Sequence, residues 1–328
     1  MITRIGKEEF IDECAELIRQ GEIVAFPTET VYGLGGNAFD ENAVKKIYEA
    51  KNRPSDNPFI VHFSRLEDVE QAAYLTEEAK RIFEVFSPGP ITIVLKKKKE
   101  IPYVVTAGLD TVGIRIPSHP MAREFLAKCA VPVAAPSANL SKKVSPTTAQ
   151  RVMEDMNGRI PAILDGGDCQ VGIESTVLSL AGEEPVILRP GAITEEMLLP
   201  YLPNVKNHVG KVTVAPAPGM KYVHYRPTAE CVLFATPESC KSEYEKQKNA
   251  GKNPVALAME DVAEKLKAMG VYSVSLGKDG REFAHNVFEA LRIYEKTNDY
   301  ILLEALRDVG IEKSIMNRIL KSSGGVIV

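Results

Sequence analysis

Residues 22–36 read EIVAFPTETVYGLGG. The first five, EIVAF, are a short apolar run of the kind that forms a buried strand. The ten that follow turn polar and glycine-rich, which predicts a loop leaving that strand. In such a loop Thr28, Thr30 and Tyr32 offer hydroxyls, and the glycines let backbone approach a ligand closely. The same composition also suits a purely structural turn. Upstream, KEEFIDECAELIRQ (7–20) sets Phe10, Cys14, Leu17 and Ile18 on one helical face, with Gly21 as the stop. Downstream, DENAVKKIYEAK (40–51) offers Asp40 as an N-cap and turns Val44, Ile47 and Tyr48 inward. Helix, strand, loop and helix in succession predict an α/β fold.

The alternation continues. Strands are expected at FIVHF (59–63), ITIVL (91–95), VGIRI (112–116), VPVAA (131–135), AILD (162–165), STVLSL (175–180) and PVILR (185–189), with helices near 76–86, 119–129 and 146–156. These elements predict a large mixed sheet, spanning residues 1–203 as one domain. Residues 203–228 carry four prolines and no sustained period, so 204–228 reads as an extended linker. Beyond it, CVLFA, PVALAM, VYSVSL and YILLEAL alternate with helical segments. Strands this apolar predict a small parallel sheet covered on both faces, a Rossmann-like domain over 229–328. No glycine fingerprint follows its first strand, so no bound dinucleotide is expected there.

The chain has 328 residues, 45% hydrophobic and 26% charged, with a net charge of −4. That is a soluble globular profile, and it excludes a protein that coats nucleic acid; any polyanion contact must be local. Five cysteines (Cys14, Cys129, Cys169, Cys231, Cys240) form no CxxC pair. Such a set implies reduced thiols rather than a disulfide framework or a zinc site. The N-terminus is a charged amphipathic segment unlike a signal peptide, and no apolar run approaches the roughly 20 residues that span a bilayer. A cytoplasmic protein without membrane contact is expected.

Chemistry is sought at four places. In KNRPSDNP (51–58), Pro54 pushes Arg53 and Pro58 pushes Asn57 toward extended backbone. Lys51 and Arg53 would then lie on one side of an extended segment, as a fixed pair that suits an anion. A helix C-terminus decorated with cations is the other reading. His62, on the next strand, is either a core histidine or a ligand contact. Arg115 lies inside an apolar strand, where a guanidinium needs an anionic partner: a small carboxylate substrate, or an internal acid. APSANLSKKVSP concentrates Ser137, Asn139 and Ser145, short donors that fit phosphate and ribose oxygens, although Ser145 also suits the N-cap of the next helix. GIEST (172–176) and ILRPGAI (187–193), with Arg189 at a strand end, complete the set. Together they describe a cleft for a phosphorylated compound and a small carboxylate.

PTETVYGLGGNAFD, the Lys-x-Arg of KNRPSDNPFIVHF, GIRIPSHP, APSANLSKKVSPT and ESTVL, in that order, resemble the YrdC-like domain of threonylcarbamoyl-AMP synthases over about residues 7–200. APGMKYVHYRP and the small α/β domain are similar to the longer, two-domain members. The resemblance implies an enzyme that joins L-threonine, bicarbonate or carbon dioxide, and ATP into threonylcarbamoyl-adenylate and pyrophosphate. A separate complex then uses the product to modify the adenosine beside the tRNA anticodon. Carried over by motif, Thr30, His62, Arg115, Ala135 and Ser175 would contact threonine. Arg53, Asn57, Thr111, Ser137, Ser145 and Arg189 would contact ATP, with Lys51 and Asn139 completing two signatures. Lys51 and Arg53 would carry the catalytic charge, and Tyr225 in the linker would close over the nucleotide as part of a lid. Mg2+ would accompany ATP, without assigned protein ligands.

Two rivals stand beside this reading. LKKKKE (95–100) is either a solvated turn or part of a cationic surface on a non-catalytic RNA-binding module, and direct tRNA contact is left open. Carbamoyl transfer from carbamoyl phosphate is disfavoured, because the accompanying zinc-finger and acylphosphatase-like regions of such proteins are absent.

Overall fold

The computed structural model describes residues 2–208 and 225–328. They divide into two compact units, 2–141 with 145–208, and 225–328 with the short segment 142–144.

Among the described residues, the first unit has eleven strands: β1 (Arg4–Gly6), β2 (Val24–Phe26), β3 (Gly33–Asn37), β4 (Ile60–His62), β5 (Ile91–Lys96), β6 (Thr111–Arg115), β7 (Val133–Ala135), β8 (Ala162–Leu164), β9 (Thr176–Ser179), β10 (Val186–Arg189) and β11 (Lys206–Asn207). They form one mixed sheet in the order β1-β8-β2-β3-β7-β4-β6-β5-β9-β10-β11. The pairs β4/β6 and β5/β9 run parallel, while β2/β3, β3/β7, β4/β7 and β5/β6 run antiparallel. A mixed α/β sheet is the expected class.

The glycine-rich stretch differs from expectation. Gly33–Asn37 is a strand, paired antiparallel with Val24–Phe26 as the second arm of a hairpin. Its glycines make room for side chains rather than for a ligand. A Cβ on Gly35 would stand 2.7 Å from Val133 Cγ1 and 2.9 Å from the Phe26 ring. Asp40 does cap the helix Glu41–Lys51, accepting from Asn42 N–H. That helix extends to Lys51, and Asn52 closes it in a left-handed conformation (φ 48°). Lys51 and Arg53 are therefore not neighbours on one extended segment. The helix 149–156 is capped by Thr148, not Ser145. At the start of the expected linker, Lys206–Asn207 joins the sheet edge beside β10; residues 209–224 lie outside the described part.

Strand alternation sends successive side chains to opposite faces. One face carries Ala25, Leu34, Val61, Ile93, Ile114, Ala134 and Leu178, buried in a continuous apolar core. The other carries Val24, Phe26, Val133 and Ala135, covered by the helices Ile11–Arg19 and Pro120–Cys129. Beyond β7 that second face becomes mixed, with Ile60 and Val94 still apolar and buried among polar neighbours. Across β4, β6 and β5 the same face presents His62, Arg115, Gly113, Thr111 and Thr92, and both Gly113 and Thr111 keep partial exposure. The site is set by the polar side chains that enter this otherwise apolar face.

The second unit contains β12 (Glu230–Phe234), β13 (Pro254–Ala258), β14 (Ser273–Ser275) and β15 (Tyr300–Glu304), all parallel, in the order β12-β15-β13-β14. Helices Pro237–Asn249, Glu260–Ala268, Gly280–Tyr294 and Gly310–Ser322 connect and cover them. Thr236 closes a capping box on the first, and Asp279 caps the third by accepting from Arg281 and Glu282 N–H. This is the Rossmann-like sheet expected from the apolar strands.

Candidate active site

Sheet register lines up the polar residues of the second face. His62 lies opposite Arg115, and Ile93 opposite Ile114, which sets Thr92 beside Arg115. Strands spaced about 4.8 Å apart place these side chains within mutual reach. Arg115 Nη2 stands 2.8 Å from Glu29 Oε1, both groups almost wholly buried. The sequence left a substrate carboxylate and an internal acid as alternatives; in this structure the internal acid Glu29 is the neighbour. Yet the contact is misaligned for a hydrogen bond. Neither Glu29 oxygen has a hydrogen-bond partner, and neither do Arg115 Nε and Nη2.

His62 is buried and lies with Nδ1 3.1 Å from the Ile60 carbonyl. Burial, reinforced by the Arg115 guanidinium, lowers its pKa to about 3, so the imidazole is neutral. The backbone of Ile60 and of Val133 both face the ring and partly offset that lowering. Thr28 donates to the Val31 carbonyl and accepts the Thr30 hydroxyl at 2.9 Å. Ser175 Oγ lies 2.8 Å from Thr92 Oγ1, and Arg189 Nη2 donates to the Ser175 carbonyl at 2.9 Å and to its Oγ at 3.2 Å. Ala135 sits on the same face, opposite Ile60. Thr30, His62, Arg115, Ser175 and Arg189 are all buried.

A second group surrounds the start of β4 and the end of β7. Lys51 Nζ donates to the carbonyls of Ser137 and Asn139, and Ser137 donates to Asn139 Oδ1. Arg53 donates to the Asn57 carbonyl and lies over the Phe59 ring. Asn57 has no exposed surface, and its amide nitrogen and oxygen have no hydrogen-bond partner. Thr111 lies on the same face as Arg115, four residues or roughly 13 Å along β6, with Gly113 between them. Ser145 donates to the buried carboxylate of Glu174 at 2.6 Å. Tyr225, at φ 65°, stacks on Phe288 within the second unit, with ring centroids 5.2 Å apart. The rest of the expected lid, 209–224, is outside the described residues.

Glu29, Thr92 and Glu174 were not singled out from sequence. Glu29 stood inside the quoted PTET, but only the folded chain reveals Arg115 as its partner. All five cysteines are buried, and burial pushes their thiol pKa values up, which disfavours thiolate chemistry. In the lysine run, Lys97 and Lys98 pack over Tyr103 and Tyr74, as surface lysines at a turn do. No helix among the described residues is long and apolar enough to cross a membrane.

A family model described as telomere recombination matches residues 16–191, and one described as the threonylcarbamoyl-AMP synthase C-terminal domain matches 193–324. The threonylcarbamoyl-AMP synthase of Pyrococcus abyssi is 43% identical, covering 100% of this chain and 99% of its own length. That of Bacillus subtilis is 44% identical over 97% of this chain and 94% of its own. The crystal structure of P. abyssi Sua5 complexed with L-threonine matches with a TM-score of 0.92 at 41% identity, over 100% of this chain and 98% of that one. The chain belongs to the threonylcarbamoyl-AMP synthase family.

Proposed function

We propose that this chain condenses L-threonine, bicarbonate or carbon dioxide, and ATP into threonylcarbamoyl-AMP and pyrophosphate, as a nucleotidyltransferase that supplies tRNA modification. The observation that carries the reading is the polar strip along β4, β6 and β5, running from the Arg115 pocket past Gly113 to Thr111. Its length suits an amino acid joined to a nucleotide. Relatives bearing the synthase name, and one solved with L-threonine, support the amino-acid end.

At that end, Arg115 has unused donors for the threonine carboxylate, and the neutral His62 ring lies opposite it on β4. At the other end, Lys51 and Arg53 place two cations beside Asn57, Ser137 and Asn139, where a triphosphate would be bound. The threonine nitrogen forms a carbamate with carbon dioxide. A carbamate oxygen then attacks the α-phosphorus, and the bond to the β-phosphate oxygen breaks. Catalysis is chiefly alignment and fixed positive charge, so no nucleophilic serine or cysteine is needed. Because the carbamate is unstable in water, a lid that includes Tyr225 has a clear purpose. Among the described residues no three His, Cys, Asp or Glu side chains cluster as a metal site. Mg2+ would accompany the nucleotide and offset phosphate charge.

Pyrophosphate release from ATP and bicarbonate, measured with threonine, serine and valine, tests this. Serine lacks one methyl group and is expected to fall by about 1–3 kcal/mol in kcat/KM. Valine lacks the hydroxyl and is expected to fall much further. Equal rates with threonine and valine contradict the proposed pocket.

A further inference from the structure

Glu29 carries a carboxylate that the fold does not satisfy. Its side chain is 4% exposed, and neither oxygen receives a hydrogen bond. The one polar contact of Val171 N–H is to the Glu29 backbone carbonyl, not to the carboxylate. Arg115, 2.8 Å away and 4% exposed, is in the same position, with Nε and Nη2 unused. A buried ion pair recovers its desolvation cost only when its remaining donors and acceptors are matched. Here an acceptor-only group and a donor-only group lie side by side, each with bonding capacity left over. The missing partner must bring donors for Glu29 and acceptors for Arg115. A zwitterionic α-amino acid has both, one carbon apart.

We infer that Glu29 is a catalytic residue: it binds the substrate ammonium and accepts the proton that nitrogen must lose before it can attack carbon. The inference rests on the synthase reading and adds a step to it. One proton passes from the ammonium to a Glu29 oxygen, leaving a neutral amine. The nitrogen lone pair forms the N–C bond to carbon dioxide as a C–O π pair moves onto oxygen. The second nitrogen proton goes to bicarbonate, which departs as water and carbon dioxide, and the product is the carbamate anion. His62 is a poor alternative acceptor, since burial and Arg115 disfavour its protonated form. Thr30, the adjacent hydroxyl, already donates to Thr28 and has no comparable basicity.

The test uses the full chain with Glu29→Gln and Glu29→Asp. Binding is measured for threonine and for 2,3-dihydroxybutyrate, in which a hydroxyl replaces the ammonium, and turnover is followed by pyrophosphate release. Glu29→Gln is expected to weaken threonine roughly 10- to 100-fold while leaving 2,3-dihydroxybutyrate unchanged, and to lower kcat at saturating threonine about 10²–10⁴-fold. Glu29→Asp, which keeps the carboxylate one methylene back, is expected to turn over faster than Glu29→Gln. It also serves where the glutamine variant folds poorly, with ATP binding as the check on folding. Equal loss of both ligands would mean that Glu29 only positions Arg115, and overturns the inference. So does equal turnover in the two variants. Wild-type protein that releases no threonine-dependent pyrophosphate contradicts the synthase reading itself, which an active wild type beside an equally active Glu29→Gln does not.

Discussion

The ammonium of Lys51 lies 2.5 Å from the carbonyl oxygen of Asn139, a residue 88 positions further along the chain. The bond ties the end of the helix Glu41–Lys51 to the loop leaving β7, and a second bond to the Ser137 carbonyl fixes the charge. Lys51→Met keeps the length of the side chain and removes the charge. It is expected to cost roughly 10²–10³ in pyrophosphate-release rate at saturating substrates. Leaving buried carbonyls unmatched is expected to cost about 1–3 kcal/mol in a denaturant titration as well. Unchanged turnover in a folded variant contradicts the role given to Lys51.

Asn57 presents the opposite balance. Its buried amide has no hydrogen-bond partner within the protein for either polar atom, an unfavourable arrangement. Asn57→Leu replaces it with an apolar group of similar size, so stability is expected to hold or rise. ATP affinity is expected to fall about tenfold, the worth of one well-made hydrogen bond. Thermal melting and ATP titration on one preparation measure both. A loss of stability with ATP affinity intact contradicts the assignment of Asn57 to the nucleotide.

His62 makes stability depend on pH. Its pKa is about 3 in the fold against 6.5 for an ordinary histidine, and burial is the main cause. Below pH 6.5 the unfolded chain takes up a proton that the folded chain refuses, so this contribution is present above 6.5 and is lost as pH falls toward 3. The slope approaches about 1.4 kcal/mol per pH unit, or roughly 2 kcal/mol between pH 6.5 and pH 5. His62→Gln is expected to remove that part of the acid sensitivity. Identical loss of stability in variant and wild type across this interval contradicts a neutral, buried His62.

Much of the fold was legible because apolar strands and amphipathic helices carry strong periodic signals. The core strands β4, β5, β6 and β10 fall within a residue or two of where their sequences place them. β3 was not legible. GLGGN has little strand propensity, and it is a strand because the Phe26 ring and Val133 require neighbours without side chains. The preceding helix ends at Lys51, as its sequence places it, but the pairing of Lys51 with Arg53 on one extended segment was misread: the prolines at 54 and 58 pointed to extended backbone, whereas Asn52 in left-handed conformation makes the break between the two cations. Of the site, Arg115, Lys51, Ser137 and Arg189 could be found from charge or short donors at the ends of strands and of one helix. Glu29 could not, because a glutamate in a polar loop looks solvated until the folded chain sets Arg115 beside it.

The central claim is that one polar strip on the sheet holds an amino acid and a nucleotide for direct joining. Its most direct test is incubation of the purified chain with ATP, bicarbonate and labelled threonine, followed by separation of the nucleotide products. An adenylate that carries the threonine label is expected, formed one for one with pyrophosphate and only when both threonine and bicarbonate are present. Pyrophosphate that appears without threonine, or salt-sensitive RNA binding with no adenylate formed, would contradict it.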